Sequence, residues 1–225
     1  MKKLSILWGN QSNSPTTKLA YRSSLKEYKK QFGDIFVLEQ MHGVDGHIVS
    51  VESASSWQIA VPKGDYLITK EANLQLGVLT ADCLPIVFFD PIAEVVAIAH
   101  AGWRGTVAGI APIVVTKLVE NFGVKSQNIQ VFFGPAARTC CYEVDQKFMA
   151  NLVHNQDALA CVETRDQRYF FDVSKYNMLC LQKCDIPIDN FNLYNNICTI
   201  CNIEYCSYRR GGEQTSLQLS LVTLR

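Results

Sequence analysis

Two imidazoles and one thiol stand out among the residues able to do chemistry. The chain has only four histidines. His42 and His100 sit at predicted strand ends close to Gly43 and Gly102, where binding and catalytic groups are often presented. Cys83 lies at the start of the apolar run that leads back to His100. Two histidines and a cysteine, with a fourth position left for water, form the ligand pattern of a catalytic zinc site. A thiol beside an imidazole equally suits a nucleophile and its base. A buried cysteine and two hydrogen-bonded core histidines would account for the same three residues without any chemistry. His47, in a predicted strand, and His154, in a polar helix end, suit surface or structural roles.

The elements that must position this trio are two β-like runs, Leu84 to Phe89 and Glu94 to Ala99. Between them Asp90-Pro91-Ile92-Ala93 has Pro at the second position, where a type I or II turn favours it. A tight turn there makes Asp90 face Ala93 and Cys83 face His100. Facing residues on antiparallel strands point to the same side, about 4.5–5.5 Å apart at Cβ, a spacing that suits two ligands of one ion.

Past the hairpin, Ala101-Gly102-Trp103-Arg104-Gly105 turns into a helix expected from about Thr106 to Asn121, with Pro112 kinking or splitting it. Backbone N–H groups and the Arg104 guanidinium at that turn could hold an anion; otherwise Gly102 and Gly105 serve the turn and Arg104 pairs with a carboxylate. Asp82 and Asp65 are candidate general bases, partners that orient a ligating histidine, or strand-end caps.

A rival metal site lies toward the C-terminus, where Cys180-x3-Cys184 precedes Cys198-x2-Cys201 and Cys206. The second pair has zinc-knuckle spacing, but the first falls in an apolar helical stripe that packing explains. Core packing also accounts for the adjacent Cys140 and Cys141.

Further strands are expected at Leu4–Trp8, Ile35–Leu38, His47–Val51, Tyr66–Thr69, Gly77–Thr80, Ile129–Phe133, Tyr169–Val173 and Ser216–Leu224. Helices are expected from Ser14-Pro15 to Gly33 on the spacing of Leu19, Tyr21, Leu25, Tyr28 and Phe32, and over Tyr142–Leu152 and Ser174–Cys184. A polar loop is expected around Ser53–Trp57. Strands and helices mix without repeats or linkers. The fold class is therefore α+β, a single-domain mixed β-sheet sandwich with flanking helices.

Composition narrows the function classes. At 225 residues, 48% hydrophobic and 19% charged, the chain is long and apolar enough for one sizeable core. Its 21 basic and 21 acidic residues cancel, so it has no basic excess to attract nucleic acid or an acidic membrane. No apolar run approaches the roughly 18 residues of a membrane span. The start, MKKLSILWGN, lacks the roughly 7–15-residue apolar core of a signal peptide. A cytoplasmic location is expected, with the nine cysteines reduced as packing groups, ligands or nucleophiles.

QMHG at 40–43, GDYLIT at 64–69, TADCLP at 80–85, HAGWRG at 100–105 and GPAARTCCYEV at 134–144 resemble the YfiH family. Its members are also labelled laccase-domain proteins, purine nucleoside phosphorylases and peptidoglycan editing factors. The resemblance spans roughly residues 35–215. It implies a metal, Zn²⁺ or Cu²⁺, at His42, Cys83 and His100, and a sandwich fold grouped with Cys–His hydrolases. Two stretches depart from the family pattern. The N-terminal segment around Trp8-Gly9-Asn10-Gln11 is short, and Glu213-Gln214-Thr215 stands where a Gly-Arg is expected after Ser207-Tyr208-Arg209-Arg210.

The resemblance further implies phosphorolysis of adenosine, inosine or guanosine with phosphate as the small-molecule partner, and adenosine deamination as a companion activity. Cys83, His100, Asp82 and Arg104 are then the expected catalytic residues. Gln40, Gly102, Gly105 and Arg209 are expected to bind substrate or phosphate, with Arg210 as an alternative holder. The usual zinc-deaminase signature, His-x-Glu with Pro-Cys-x-x-Cys, is absent, which leaves Asp82 or Glu143 to shuttle the proton. Three other activities remain open: a Cys83–His100 hydrolase editing peptidoglycan precursors, a copper-dependent polyphenol oxidase, and a non-catalytic zinc-binding protein.

Overall fold

The computed structural model describes residues 2–14, 30–53 and 61–225. The first predicted helix, from Pro15 onward, lies almost wholly outside them, as does most of the loop after Ser53. Seven strands lie before Gly102: β1 (Leu4–Leu7), β2 (Ile35–Phe36), β3 (Gly46–Ile48), β4 (Tyr66–Thr69), β5 (Gln75–Thr80), β6 (Leu84–Asp90) and β7 (Val95–Ala101). Helices α1 (Trp103–Val107) and α2 (Ile110–Phe122) follow, then β8 (Gln130–Phe133), β9 (Glu143–Val144), α3 (Gln146–Ala150) and α4 (Gln156–Leu159). The chain ends with β10 (Val162–Arg165), β11 (Arg168–Phe171), α5 (Val173–Gln182), β12 (Phe191–Asn192), α6 (Tyr208–Gly211) and β13 (Gln218–Leu224).

The β6–β7 hairpin is the middle of the molecule. Every residue of both strands is buried, because each face of their sheet is covered, and this is why they read as continuous apolar runs. That sheet has six strands in the order β12-β8-β6-β7-β4-β3. On one face Val87, Phe89, Val96 and Ile98 meet Leu76, Val78, Val222 and Leu224 of a four-stranded sheet ordered β1-β13-β5-β2. On the other face Ile86, Phe88, Ala97 and Ala99 pack against Ile110, Val114 and Leu118 of α2. The result is an α+β sandwich with helices flanking its outer face. A small third sheet, β10-β11-β9, is closed by a two-residue turn at Asp166 and Gln167, both with positive φ, the backbone that right-twisted hairpins favour.

Three expectations about local structure are corrected. The hairpin register is shifted: Asp90 pairs with Val95, and His100 pairs with Pro85 rather than Cys83. The cause is a wider turn. Asp90 Oδ1 accepts from the N–H groups of Ile92 (2.7 Å) and Ala93 (3.0 Å), and Glu94 takes a left-handed φ of 51°, so four residues span the connection instead of two. The long helix after the hairpin is two helices separated at Gly109, whose φ is +89°. Pro112 falls in the first turn of α2, where its missing N–H costs no helical bond. The helix expected over Tyr142–Leu152 is shorter and begins later, because Glu143–Val144 pairs with β11. Asp145 then caps α3, accepting from Phe148 N.

Candidate metal centre and cavity

Three chain segments converge at the end of the hairpin. β7 delivers His100, which is 2% exposed beside the fully buried Asp65. The turn before β6 delivers Cys83, and the loop after Glu39 delivers His42. That loop is folded around the Asp65 carboxylate. Oδ1 accepts from His42 N (2.9 Å), and Oδ2 accepts from Gly43 N (2.7 Å) and Met41 N (3.2 Å). His42 adopts φ 59°, a left-handed conformation uncommon for a non-glycine residue and here held by those bonds.

Asp65 Oδ1 also lies 2.9 Å from His100 Nδ1. With Nδ1 taken by the carboxylate, His100 turns Nε2 toward Cys83, the carboxylate–histidine arrangement that orients metal-ligating imidazoles. The His42 and His100 rings meet edge to face with centroids 4.8 Å apart. One donor atom from each of His42, Cys83 and His100 lies within 4.8 Å of the other two.

The shifted register explains how the three come so close. It sets Cys83 across from Gly102, which follows the last residue of β7. A Cβ on Gly102 would sit 2.8 Å from His42 Cδ2 and 3.2 Å from Cys83 Sγ, so glycine leaves room for the cluster. Gly105 acts one turn later, where a Cβ would fall 2.5 Å from the Gly43 carbonyl oxygen; its role is to let α1 press against the His42 loop.

The electrostatics match the geometry. Burial raises the Cys83 thiol, but the charges and hydrogen bonds of His100 and His42 outweigh it and lower it to about 6. Burial lowers His100, yet Cys83 and Asp65 together raise it to about 9. Burial also opposes ionisation of Asp65, and His100 with the Gly43 and His42 N–H groups holds it below the usual carboxylate range. Two imidazoles and an ionised thiolate, oriented by a buried carboxylate and open on one side, fit a metal ion with a free coordination position.

The open side is a cavity of about 840 Å³. His42, Cys83 and His100 lie at its base, and Trp103, Arg104, Tyr142, Tyr208 and Arg209 form much of its wall. Arg104 stacks 4.6 Å over Trp103, and no carboxylate pairs with it among the described residues. Arg209 stacks 4.8 Å over Tyr142 and donates to Glu143 O at 2.6 Å. Burial, then the charge of Cys83, pushes the Tyr142 hydroxyl up to about 12, so it stays a donor at neutral pH. Sequence alone does not single out Tyr142 and Tyr208, although the first lies inside the motif at 134–144 and the second in the Ser207–Arg210 run.

Other expected site residues carry structural bonds. Gln40 borders the cavity, but its amide bridges the Leu79 backbone through both ends, donating at 2.8 Å and accepting at 2.7 Å. Asp82 accepts from Thr199 Oγ1 (2.6 Å) and Arg209 N (2.7 Å), tying the C-terminal segment to the cavity rim. Gly102 and Gly105 are buried in packing, and α1 has only five residues. Arg210 is turned away, donating to the Thr199 and Ile200 carbonyls.

The rival cysteine site is regrouped. Cys184 Sγ packs along α5 against the Cys180 carbonyl, and Cys206 lies 3.2 Å from Ser14 Oγ. Cys198 and Cys201 instead meet Cys140 and Cys141, all four sulfurs lying within 4.8 Å of one another. Turns bring these four together, whereas Cys180 stays on α5 and Cys184 in the turn just after it. Packing therefore does not account for Cys140, which is exposed.

A family model described as multi-copper polyphenol oxidoreductase laccase matches residues 12–225. The chain belongs to that family. It is 35% identical over 196 residues to the purine nucleoside phosphorylase YlmD of Geobacillus stearothermophilus, covering 83% of this chain and 71% of that one. It is 32% identical over 164 residues to a purine nucleoside phosphorylase of Borreliella burgdorferi, covering 70% and 68%. The crystal structure of the Geobacillus YlmD superposes with a TM-score of 0.79 at 27% identity, covering 100% of this chain and 92% of that one. A hypothetical protein YfiH from Bacillus licheniformis shares the fold, with a TM-score of 0.83 at 24% identity over 99% and 93% of the two chains. No described helix is long and apolar enough to cross a membrane.

Proposed function

We propose that the cavity over His42, Cys83 and His100 is a purine nucleoside phosphorylase site, taking adenosine, inosine or guanosine with phosphate and releasing base and ribose 1-phosphate. Deamination of adenosine is its companion reaction. The carrying observation is that one cavity of about 840 Å³ joins the three-donor centre to an aromatic wall and to Arg104, a guanidinium without a carboxylate partner among the described residues. That volume lies in the range of small-molecule sites. Trp103, Tyr142 and Tyr208 offer faces for a flat base, with Tyr142 as a protonated donor to it. Arg104 holds the phosphate. A phosphate oxygen then attacks C1′ as the C–N bond breaks, and the bond's electron pair leaves with the base, which takes up a proton.

His42, Cys83 and His100 would hold the metal, and when bound it supplies Lewis-acid activation of water, the chemistry that deamination at adenine C6 needs. Zinc suits this donor set, and copper binds such sites more tightly still. Multicopper oxidation is a poorer match. Of the four histidines, His47 bonds the Lys63 carbonyl and His154 is exposed, so only two reach the cluster.

A second reading has its own support. Cys83, His100 and Asp65 form a nucleophile–base–orienter series with a thiol lowered to about 6, which favours a thiolate hydrolase acting on peptidoglycan precursors. A metal and a substrate compete for that one sulfur, so metal dependence separates the readings.

The test is incubation of metal-assayed protein with adenosine and phosphate, followed by chromatography of the products. Adenine or hypoxanthine with ribose 1-phosphate is expected, and metal stripping abolishes the deamination. Unchanged adenosine with fully metallated protein overturns the proposal. Hydrolysis of a peptidoglycan precursor that chelation enhances would favour the thiolate reading, and no turnover of either substrate, unaltered by Arg104→Ala, a non-catalytic zinc-binding protein.

A further inference from the structure

Four cysteines outside the cavity form a second cluster. Cys140 and Cys141 lie in the turn that follows Arg138, closed by Cys141 N and Tyr142 N donating to the Arg138 carbonyl. Cys198 and Cys201 lie in a turn near the C-terminus. A single bridge joins the two: Ala136 N donates to Ile197 O and Thr199 N to Ala136 O, both at 3.0 Å. Across it the four sulfurs come within 4.8 Å of one another, with Cys140 and Cys201 Sγ 3.9 Å apart. All nine cysteines are free thiols.

We propose that Cys140, Cys141, Cys198 and Cys201 bind one tetrahedral metal ion, Zn²⁺ or a single Fe²⁺, as a structural clasp independent of the reaction in the cavity. Metal–sulfur bonds of about 2.3 Å in a tetrahedron place sulfurs about 3.8 Å apart, close to the separation of Cys140 and Cys201. Four thiolates in a tetrahedron select zinc or iron and leave no open position for substrate. The Cys198-x2-Cys201 turn has knuckle spacing; burial opposes ionisation of the Cys198 thiol, but the backbone N–H groups of Cys201, Arg138 and Ile200 and the Cys140 thiol lower it below the ordinary thiol value.

Three arginines fasten the backbone around the four cysteines. Arg138, Arg165 and Arg210 donate to the carbonyls of Asn196, Thr139, Thr199 and Ile200, each adjoining or close to one of the cysteines. Arg138 Nε is buried with no hydrogen-bond partner among the described residues, and the carbonyl of the same residue closes the Cys140–Cys141 turn. The clasp lies behind the cavity wall. Tyr142 follows Cys141 directly, and Thr199, next to Cys198, holds Asp82.

The test is elemental analysis of the full chain purified under reducing conditions. The Cys83→Ala variant, which removes the cavity centre, is expected to retain one equivalent of zinc or iron, and adding Cys201→Ser removes it. Cobalt loading of Cys83→Ala should give the intense sulfur-to-cobalt charge-transfer bands of a four-thiolate tetrahedral site, a readout that survives if the serine variant folds poorly. A metal-free Cys83→Ala protein whose spectrum stays flat on cobalt addition overturns the proposal. So does a disulfide among the four cysteines under those conditions, or thiol labelling of them at the same rate with and without chelator.

Discussion

The cavity centre and the cysteine clasp are built from similar parts and arranged for opposite ends. The first sets two imidazoles and one sulfur against a cavity, with a buried carboxylate behind His100 and a glycine hollow beside all three donors. The second sets four sulfurs between two turns, with backbone N–H groups and three arginines around them. Three donors and an open side allow chemistry. Four donors close the coordination sphere and leave only mechanical work. The cavity centre should therefore respond to substitutions that move its donors by fractions of an ångström, and the clasp to those that unfasten its turns.

Gly102→Ala should separate the two most sharply. Gly102 has φ −66° and ψ 161°, which alanine adopts without strain, so the backbone tolerates the change. The new methyl meets His42 Cδ2 at 2.8 Å and Cys83 Sγ at 3.2 Å. Displacing reacting groups by about 1 Å costs about 10²-fold in rate. A loss of at least that size is expected in nucleoside turnover, with metal lost from the cavity centre, a melting point close to that of the unsubstituted protein stripped of the same metal and the clasp ion retained. Full activity in the alanine variant would show that the three donors do not act together.

Asp65→Asn attacks the same centre from behind. The amide keeps the carboxylate's shape but loses its charge and turns a donor toward groups that already donate. Removing such an orienting partner costs about 10–100-fold in metal affinity or activity. Competition with a chromogenic chelator should register that drop for the cavity ion alone. Equal loss at both sites would instead indicate a global change in the fold.

The two regions also differ in how far the sequence disclosed them. His42, Cys83 and His100 could be found because histidine is scarce and the flanking strands are apolar on both faces. Their exact arrangement could not, since the hairpin register depends on the Asp90 side chain capping two amides and on Glu94 taking a left-handed φ. Asp65 was legible as an orienting candidate; Gly102 was placed at an anion-binding turn, and its role as a hollow appears only when three segments converge. The clasp was half legible. The spacing of Cys198 and Cys201 pointed to metal, but Cys140 is 61 residues from Cys201, and only the bridge between Ala136 and Cys198 brings the pairs together. Helical periodicity near Cys180 and Cys184 suggests packing; α5 holds Cys180, and Cys184 lies in the turn just after the helix with its Sγ against the Cys180 carbonyl. The tyrosines of the cavity wall carried no periodic signal, because they line a space rather than a core.

Thiol chemistry sharpens the comparison further. In metal-stripped protein Cys83, lowered to about 6 with His100 raised to about 9, is ionised from about pH 6 upward beside a protonated imidazole. Iodoacetamide labelling of Cys83, followed peptide by peptide in a mass spectrometer, should therefore rise with a midpoint near pH 6, against about 8.5 for an ordinary thiol. The gain in rate at neutral pH is only about a few-fold, since nucleophilicity falls as the thiol pKa falls; the midpoint is the diagnostic quantity. Returning the metal should suppress the labelling. A midpoint above pH 8 would mean that the imidazoles do not stabilise the sulfur.

The smallest expected effect probes the link between the two regions. Thr199 adjoins Cys198 and donates to Asp82 at 2.6 Å, while Asp82 also accepts from Arg209 N at the cavity rim. Thr199→Val keeps the side chain's shape and leaves one buried carboxylate oxygen without that donor, at a cost of about 1–3 kcal/mol. The second bond to Asp82 remains, so the loss should fall near the lower end, readable as a shift in the urea midpoint at unchanged slope. If the clasp holds the cavity wall through this contact, substrate KM rises with little change in kcat, because the Asp82–Arg209 rim loosens while the donors on β7 and the His42 loop stay in place. A fall in kcat with KM unchanged would place Thr199 in the chemical step and break the division between a reacting centre and a structural one.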